Sequence, residues 1–277
     1  MKSAIKSAIT VSLVPEARHG PFVFHEGLED ACQRAADLGF DAIEIFPPHA
    51  RALQETDVSS LLDKYDLRLA AVGTGAGWLR EQLTLVSPDE LVRMKACGFI
   101  QDIIDAAGML GAPAIIGSMQ GRAADISQRD AKLQLLGETI SDLADYAKGM
   151  YEVPLLIEPL NRYETNLLNE VSQTAEWIRS LPTRNLRILA DLFHMNIEDA
   201  DMAASLEEAG SLIGHVHFAD SNRLAVGLGH SPIPAAINEL QLLGYRGYLS
   251  AEIFPLPDSQ TAARQTIESF RRLTGAA

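Results

Sequence analysis

Short, continuously apolar runs alternate along this chain with longer stretches whose apolar positions recur at helical spacing. A first run, Ala8–Val14, precedes a helical pattern from about His25 to Leu38, and Gly39 ends that helix as a glycine at a C-terminus does. Asp41–Phe46 (DAIEIF) reads as a second strand, the segment around Ala52–Tyr65 as a helix, and Leu67–Gly73 as a third strand. Ser87-Pro88-Asp89-Glu90 has the form of a capping box with proline at the first helical position. The helix it opens runs to about Leu110, and Gly111 ends it ahead of a fourth strand, Pro113–Gly117.

The second half repeats the scheme. Helices Arg129–Lys148, Glu170–Ser180, Met202–Ala209 and Ile233–Leu243 lead into strands Pro154–Glu158, Leu186–Asp191, Leu212–Phe218 and Gly247–Glu252, and a last helix covers about Thr261–Leu273. Strands this apolar, separated by helices, predict a parallel sheet buried on both faces. Eight such units in an α/β chain favour a closed (β/α)8 barrel over an open doubly wound sheet. No G-x-G-x-x-G or Walker sequence follows any strand, which argues against a nucleotide site. No stretch reads as a linker, so residues 1–277 are expected to form one domain.

Composition narrows the class. With 47% apolar residues the chain can build a substantial core, and its formal charge of −14, without a Lys/Arg cluster, argues against nucleic acid as a partner. No apolar run approaches membrane-spanning length, and the opening MKSAIKSAITVSLVPEA is too broken by Ser and Thr to resemble a secretory signal. Cys32 and Cys97 form no metal-ligand pair in sequence and read as small buried hydrophobes in a reducing compartment. A soluble, cytoplasmic protein with no membrane partner is expected.

The chemistry concentrates where apolar runs end. Glu158, Asp191, His217 and Glu252 close the last four strand-like runs, at intervals of 33, 26 and 35 residues, each about one strand–helix repeat. In a barrel these ends share one mouth. A charge there is costly unless paired, and three carboxylates with one imidazole suit a divalent metal with oxygen and nitrogen ligands. His215 competes with His217, points to the same side and lies deeper, so His217 is the expected ligand and His215 an interior histidine. The loops after these runs hold Asn161, Arg162, Glu164, His194, Asn196, Asp220, Asn222 and Arg223, donors and acceptors suited to a polyhydroxylated ligand. Arg162 is expected in a salt bridge, at the surface or just behind the site, rather than on the substrate. Trp78, in the irregular loop Gly73–Ser87, is a candidate wall of the sugar pocket.

The segments EPLNRYETN, DLFHMNIED, GHVHFADSNR and AEIF resemble those of the xylose-isomerase-like TIM barrel family, most closely its ketose 3-epimerases of the tagatose and psicose (allulose) type. The likeness is strongest from Val153 to Pro255 and architectural before that. It implies that Glu158, Asp191, His217 and Glu252 bind a divalent metal, Mn²⁺ first, with Co²⁺, Mg²⁺ and Zn²⁺ as alternatives. It also implies that Glu164, His194 and Arg223 contact the carbonyl end of a sugar substrate, and that the protein is a homo-oligomer, a dimer or tetramer. The implied reaction is C3 epimerisation of a ketose or ketose phosphate through a metal-stabilised enediolate, with Glu158 and Glu252 as acid and base. Aldose–ketose isomerases, hydroxypyruvate isomerases and inosose dehydratases share the single-metal arrangement and are the nearest alternatives. The family's abasic-site endonucleases add histidines and a D-x-H pair for further zinc ions. Here the fourth strand ends in Gly117-Ser118-Met119 and no D-x-H follows His217, so that reading is disfavoured. The non-enzyme alternative is a barrel that binds a sugar without turning it over, and the intact acid/base pair argues against it.

Overall fold

The computed structural model describes residues 5–276. Met1–Ala4, the start of the stretch read above as lacking a secretory signal, and Ala277 lie outside the described residues. Eight parallel strands close on themselves in chain order: β1 Lys6–Ser12, β2 Ala42–Phe46, β3 Arg68–Gly73, β4 Ala114–Ile116, β5 Leu155–Ile157, β6 Leu186–Asp191, β7 Ile213–His217 and β8 Tyr248–Ala251. Closure comes from β1 against β8, with Ala8 opposite Ser250 and Ile9 opposite Ala251. The expected (β/α)8 barrel is the observed one, and among the described residues no strand edge is left open.

The helices are α1 Leu28–Leu38, α2 Ala50–Glu55, α3 Val58–Tyr65, α4 Ala76–Glu81, α5 Glu90–Gly108, α6 Arg129–Tyr151, α7 Val171–Ser180, α8 Leu192–Glu198, α9 Met202–Ala209, α10 Ile233–Leu242 and α11 Ser259–Thr274, of which α4 and α8 lie at the mouth. Their amphipathic spacing does the anchoring. In α11, for example, Ala262, Ala263, Thr266, Ile267 and Phe270 are buried at three- and four-residue intervals. All but Thr266 join strand residues such as Ile9, Ile43, Ile116 and Ile157 in one continuous core. Gly39 caps α1 in the left-handed conformation (φ 82°), as expected of it.

Several local expectations are corrected. The helix expected over Ala52–Tyr65 is two, because Thr56 is extended and Asp57 starts α3 by accepting from the Ser60 amide at 3.1 Å. The irregular loop after β3 contains α4. The cap of α5 is Asp89, which accepts from the Leu91 amide at 2.8 Å, while Ser87 only bonds the Asp89 amide. That helix stops at Gly108, and Gly111 (φ 71°) sits in the turn beyond it. Asp191 caps the short α8, which periodicity did not resolve. Cys32 is buried as expected, whereas Cys97 is only half-buried, and both are free thiols.

Inside the barrel Ala71, Ile115, Leu156 and Leu189 form their own small apolar cluster. Side chains alternate along a strand, so two residues further toward the C-terminal ends the same faces carry Gly73, Gly117, Glu158 and Asp191. An apolar plug therefore underlies a layer of ionisable groups. Ile140, fully buried on α6, tests the outer core. Ile140→Ala should lose about 2–5 kcal/mol of unfolding free energy in a denaturant titration, and a loss below about 0.5 kcal/mol would contradict the helix–barrel packing described.

Candidate active site

The structure brings Glu158, Asp191, His217 and Glu252 together at the C-terminal mouth. One ligand atom from each lies within 4.8 Å of all the others. Asp191 and His217 end β6 and β7, while Glu158 and Glu252 each fall one residue past the last paired residue of β5 and β8. His217 Nδ1 is the hub, 3.3 Å from Glu158 Oε1 and 3.6 Å from both Asp191 Oδ2 and Glu252 Oε2. His217 Nδ1 and Glu158 Oε1 are buried without a hydrogen-bond partner. Buried polar atoms are rarely left this way. Their convergence with two further carboxylates is the donor set of a divalent cation with mixed oxygen and nitrogen ligands, so the residues fit such an ion.

The backbone around Glu158 is shaped for this. Gln120 Nε2 donates to the Glu158 carbonyl at 3.0 Å. At Gly117 a Cβ would lie 2.6 Å from Glu158 Oε2, so only glycine leaves the carboxylate its position.

Glu44, on β2, is the functional residue that the sequence reading missed. Buried beneath the four, it accepts from His215 Nε2 at 2.7 Å and from His217 Nε2 at 3.1 Å. An ionised carboxylate only accepts, so His217 keeps a proton on Nε2, and Nδ1 is the nitrogen that faces the mouth, a ligand once its own proton is displaced. Burial alone would raise the Glu44 pKa, but the two imidazoles outweigh it and hold the carboxyl well below its usual range. His215 is thus the interior histidine expected. The available signal was the one charge inside an otherwise apolar strand, AIEIF.

A second imidazole is oriented the opposite way. The Asn161 backbone amide donates to His194 Nδ1 at 3.2 Å, with Asn161 Nδ2 2.8 Å from the same nitrogen. An amide N–H only donates, so the His194 proton lies on Nε2, 3.6 Å from Asp191 Oδ2 and 3.9 Å from Glu164 Oε1. Burial is the chief reason the His194 pKa falls to about 3, with Arg223 also lowering it against Asp191. This neutral ring is a hydrogen-bond donor at working pH.

Arg223 closes the site from the loop after β7. Its Nη2 bonds Glu252 and lies 3.4 Å from Asp191 Oδ2, Nη1 is 4.0 Å from Glu164, and the guanidinium sits over the Phe193 ring at 4.9 Å. Its backbone is left-handed (φ 56°), held by a turn in which Asp220 accepts from the amides of Ser221, Gly227 and Ser231. Trp78, 39% exposed, lines the same mouth cavity of about 360 Å³, together with Phe22 and Phe46. Arg162, itself exposed, instead pairs at 2.9 Å with Glu198, whose side chain is nearly covered, in the salt bridge expected of it.

Burial, with Glu252 and Asp191 nearby, pushes the Glu158 carboxyl up to about 7 against the pull of His217. Burial would depress His217, but the surrounding carboxylates, Glu44 first, raise its pKa well above the ordinary value. For Asp191 burial again opposes, and His194, His217 and Arg223 draw the carboxyl well below its usual range.

A model of the xylose isomerase-like TIM barrel family matches residues 32–273, and the chain belongs to that family. It is 26% identical over 265 residues to D-psicose 3-epimerase of Agrobacterium fabrum, covering 94% of this chain and 87% of that protein. It is 28% identical over 234 residues to L-ribulose 3-epimerase of Methylomonas sp., covering 82% and 79%. The crystal structure of D-allulose 3-epimerase from Methylomonas sp. in complex with D-allulose superposes with a TM-score of 0.79 at 24% identity, over 98% of each chain, and shares the fold.

Two outcomes follow for metal binding. A metal must displace the proton that Glu158 holds below about 7, and that of His217, so Mn²⁺ affinity should climb as pH rises through about 7, with protons released on binding. Calorimetry in buffers of different ionisation heats reads both, and a pH-independent affinity would refute the assignment. Glu44→Gln, which places an amide donor against the imidazoles, should weaken Mn²⁺ binding roughly 10–100-fold. Unchanged affinity would show that Glu44 does not orient His217.

Proposed function

We propose that this chain is a divalent-metal-dependent ketose 3-epimerase, using Mn²⁺ in the cytoplasm as a homodimer or homotetramer. The observation that carries the reading is the pair of glutamates, Glu158 and Glu252, 3.3 and 3.6 Å from His217 Nδ1 and lining one cavity. The names of the relatives, D-psicose and L-ribulose 3-epimerases, support the substrate class. Two free cysteines suit a reducing compartment, and no helix among the described residues is long and apolar enough to cross a membrane.

Epimerisation at carbon 3 requires a proton to leave one face of that carbon and another to arrive on the opposite face. Glu158, Asp191, His217 and Glu252 would hold the cation, which when bound supplies Lewis-acid stabilisation of negative charge on the sugar oxygens. One of Glu158 and Glu252 takes the carbon-3 proton and the other delivers its replacement, the order set by the configuration of the substrate. His194 Nε2–H and the Arg223 guanidinium donate to the oxygen on which charge grows. Glu164, beside Asn161 at 3.2 Å, completes the hydrogen-bonding set for the sugar, and Trp78 walls it from water.

Proton NMR of a ketose panel in D₂O, with the Mn²⁺-loaded enzyme and the metal removed before spectra are recorded, tests this. The panel holds fructose, psicose, tagatose, sorbose, ribulose and xylulose, with the available phosphates. Deuterium is expected at carbon 3 alongside the epimeric ketose, and Glu158→Gln and Glu252→Gln should each cut turnover roughly 10²–10⁴-fold. Deuterium at carbon 1 or 2 with an aldose would make the enzyme an aldose–ketose isomerase instead.

A further inference from the structure

Beside the mouth lies a second cavity that a free ketose would leave to water. It measures about 480 Å³, and Trp78, Ser118 and Glu164 form the wall it shares with the mouth. Each cavity alone falls within the size range of small-molecule sites. The far side is built from the loops that follow β3, β4 and β5, which supply Thr84, Arg122 and Tyr163.

These loops are tied to one another. Thr165 Oγ1 donates to the Gly121 carbonyl at 2.7 Å, and the Asn166 side chain bonds both the amide and the carbonyl of Ala123, at 2.8 and 3.0 Å. Lys132 Nζ donates to the Val86 carbonyl at 2.7 Å and pins the third loop. The chamber is therefore formed before any ligand arrives, which lowers the ordering cost of binding.

Its lining is aromatic and donor-rich. Trp78 is 39% and Tyr163 77% exposed, and both line the chamber. Arg122 is exposed and makes no ion pair among the described residues, so its five N–H donors are available. An aromatic face takes the C–H side of a sugar ring, and the guanidinium with the Thr84 and Ser118 hydroxyls takes its hydroxyls.

We propose that this chamber is a second sugar subsite, and that the preferred substrates are ketoses carrying a further glycosyl ring. The ketose half of the proposal rests on the epimerase reading above; the subsite itself does not. In such a complex the ketose unit lies at Glu158 and Glu252, and the second ring lies past Trp78 against Tyr163, within reach of Arg122.

Calorimetry on the Mn²⁺-loaded protein with fructose and with glycosyl-fructoses linked through carbons 1, 4, 5 and 6 tests the subsite directly. At least one glycosyl-fructose should bind ten times more tightly than fructose or better, and Tyr163→Ala and Arg122→Ala should each reduce that preference several-fold. No preference for any linkage, or a preference untouched by both substitutions, would overturn the subsite. Deuterium uptake at carbon 3, read on the same panel, separates the two claims. Tight, substitution-sensitive binding without exchange keeps the subsite and removes the epimerase reading. Exchange of free ketoses with no binding preference does the reverse.

Discussion

Three carboxylates and an imidazole buried within a few ångströms of each other are the constraint around which the rest of this protein is arranged. Like charges at such distances cannot all persist in a low-dielectric setting without a cation among them. Without one, Glu158 tends to hold its proton and His217 tends to keep a positive charge. With a divalent ion both can give up their protons, and the tension becomes binding energy. Gly117, the apolar plug of Ala71, Ile115, Leu156 and Leu189, and the Glu44 pair of imidazoles each serve to keep the four groups where that exchange works.

The two buried histidines at the mouth illustrate how backbone and side-chain partners decide chemistry. Glu44 holds one proton of His217 on Nε2, so Nδ1 is the nitrogen left to serve as a ligand once it gives up its own. Asn161 fixes the lone pair of His194 outward, and the proton faces inward as a donor. One imidazole can bind a metal and the other can support a developing oxyanion, although the two ring nitrogens nearest the carboxylates lie at similar distances from Asp191.

Much of this was legible in the sequence, because it depends on periodicity. Apolar runs that each end in Glu158, Asp191, His217 or Glu252 specify both the barrel and its mouth, and the structure unites the four without exception. What escaped was encoded in three dimensions. Glu44 sits in the middle of a strand, where a single charge in AIEIF does not show what it faces; only barrel closure sets it against His215 and His217. Arg223 acquires its aim from a left-handed turn organised by Asp220, a conformation no local pattern announces for arginine. The side chamber is assembled from three loops distant in sequence, so no single segment carries its signature. The misassigned cap, Ser87 for Asp89, arose because both residues satisfy the same capping rule two positions apart.

The central claim is that one divalent ion occupies the space between Glu158, Asp191, His217 Nδ1 and Glu252. A crystal structure of the Mn²⁺-loaded protein, with anomalous scattering recorded at the manganese edge, tests it most directly. The account predicts a single strong peak in contact with those four residues, with Glu44 still bonded to both imidazoles. A peak bounded by Glu44 and His215 instead, or none at the mouth, would contradict it.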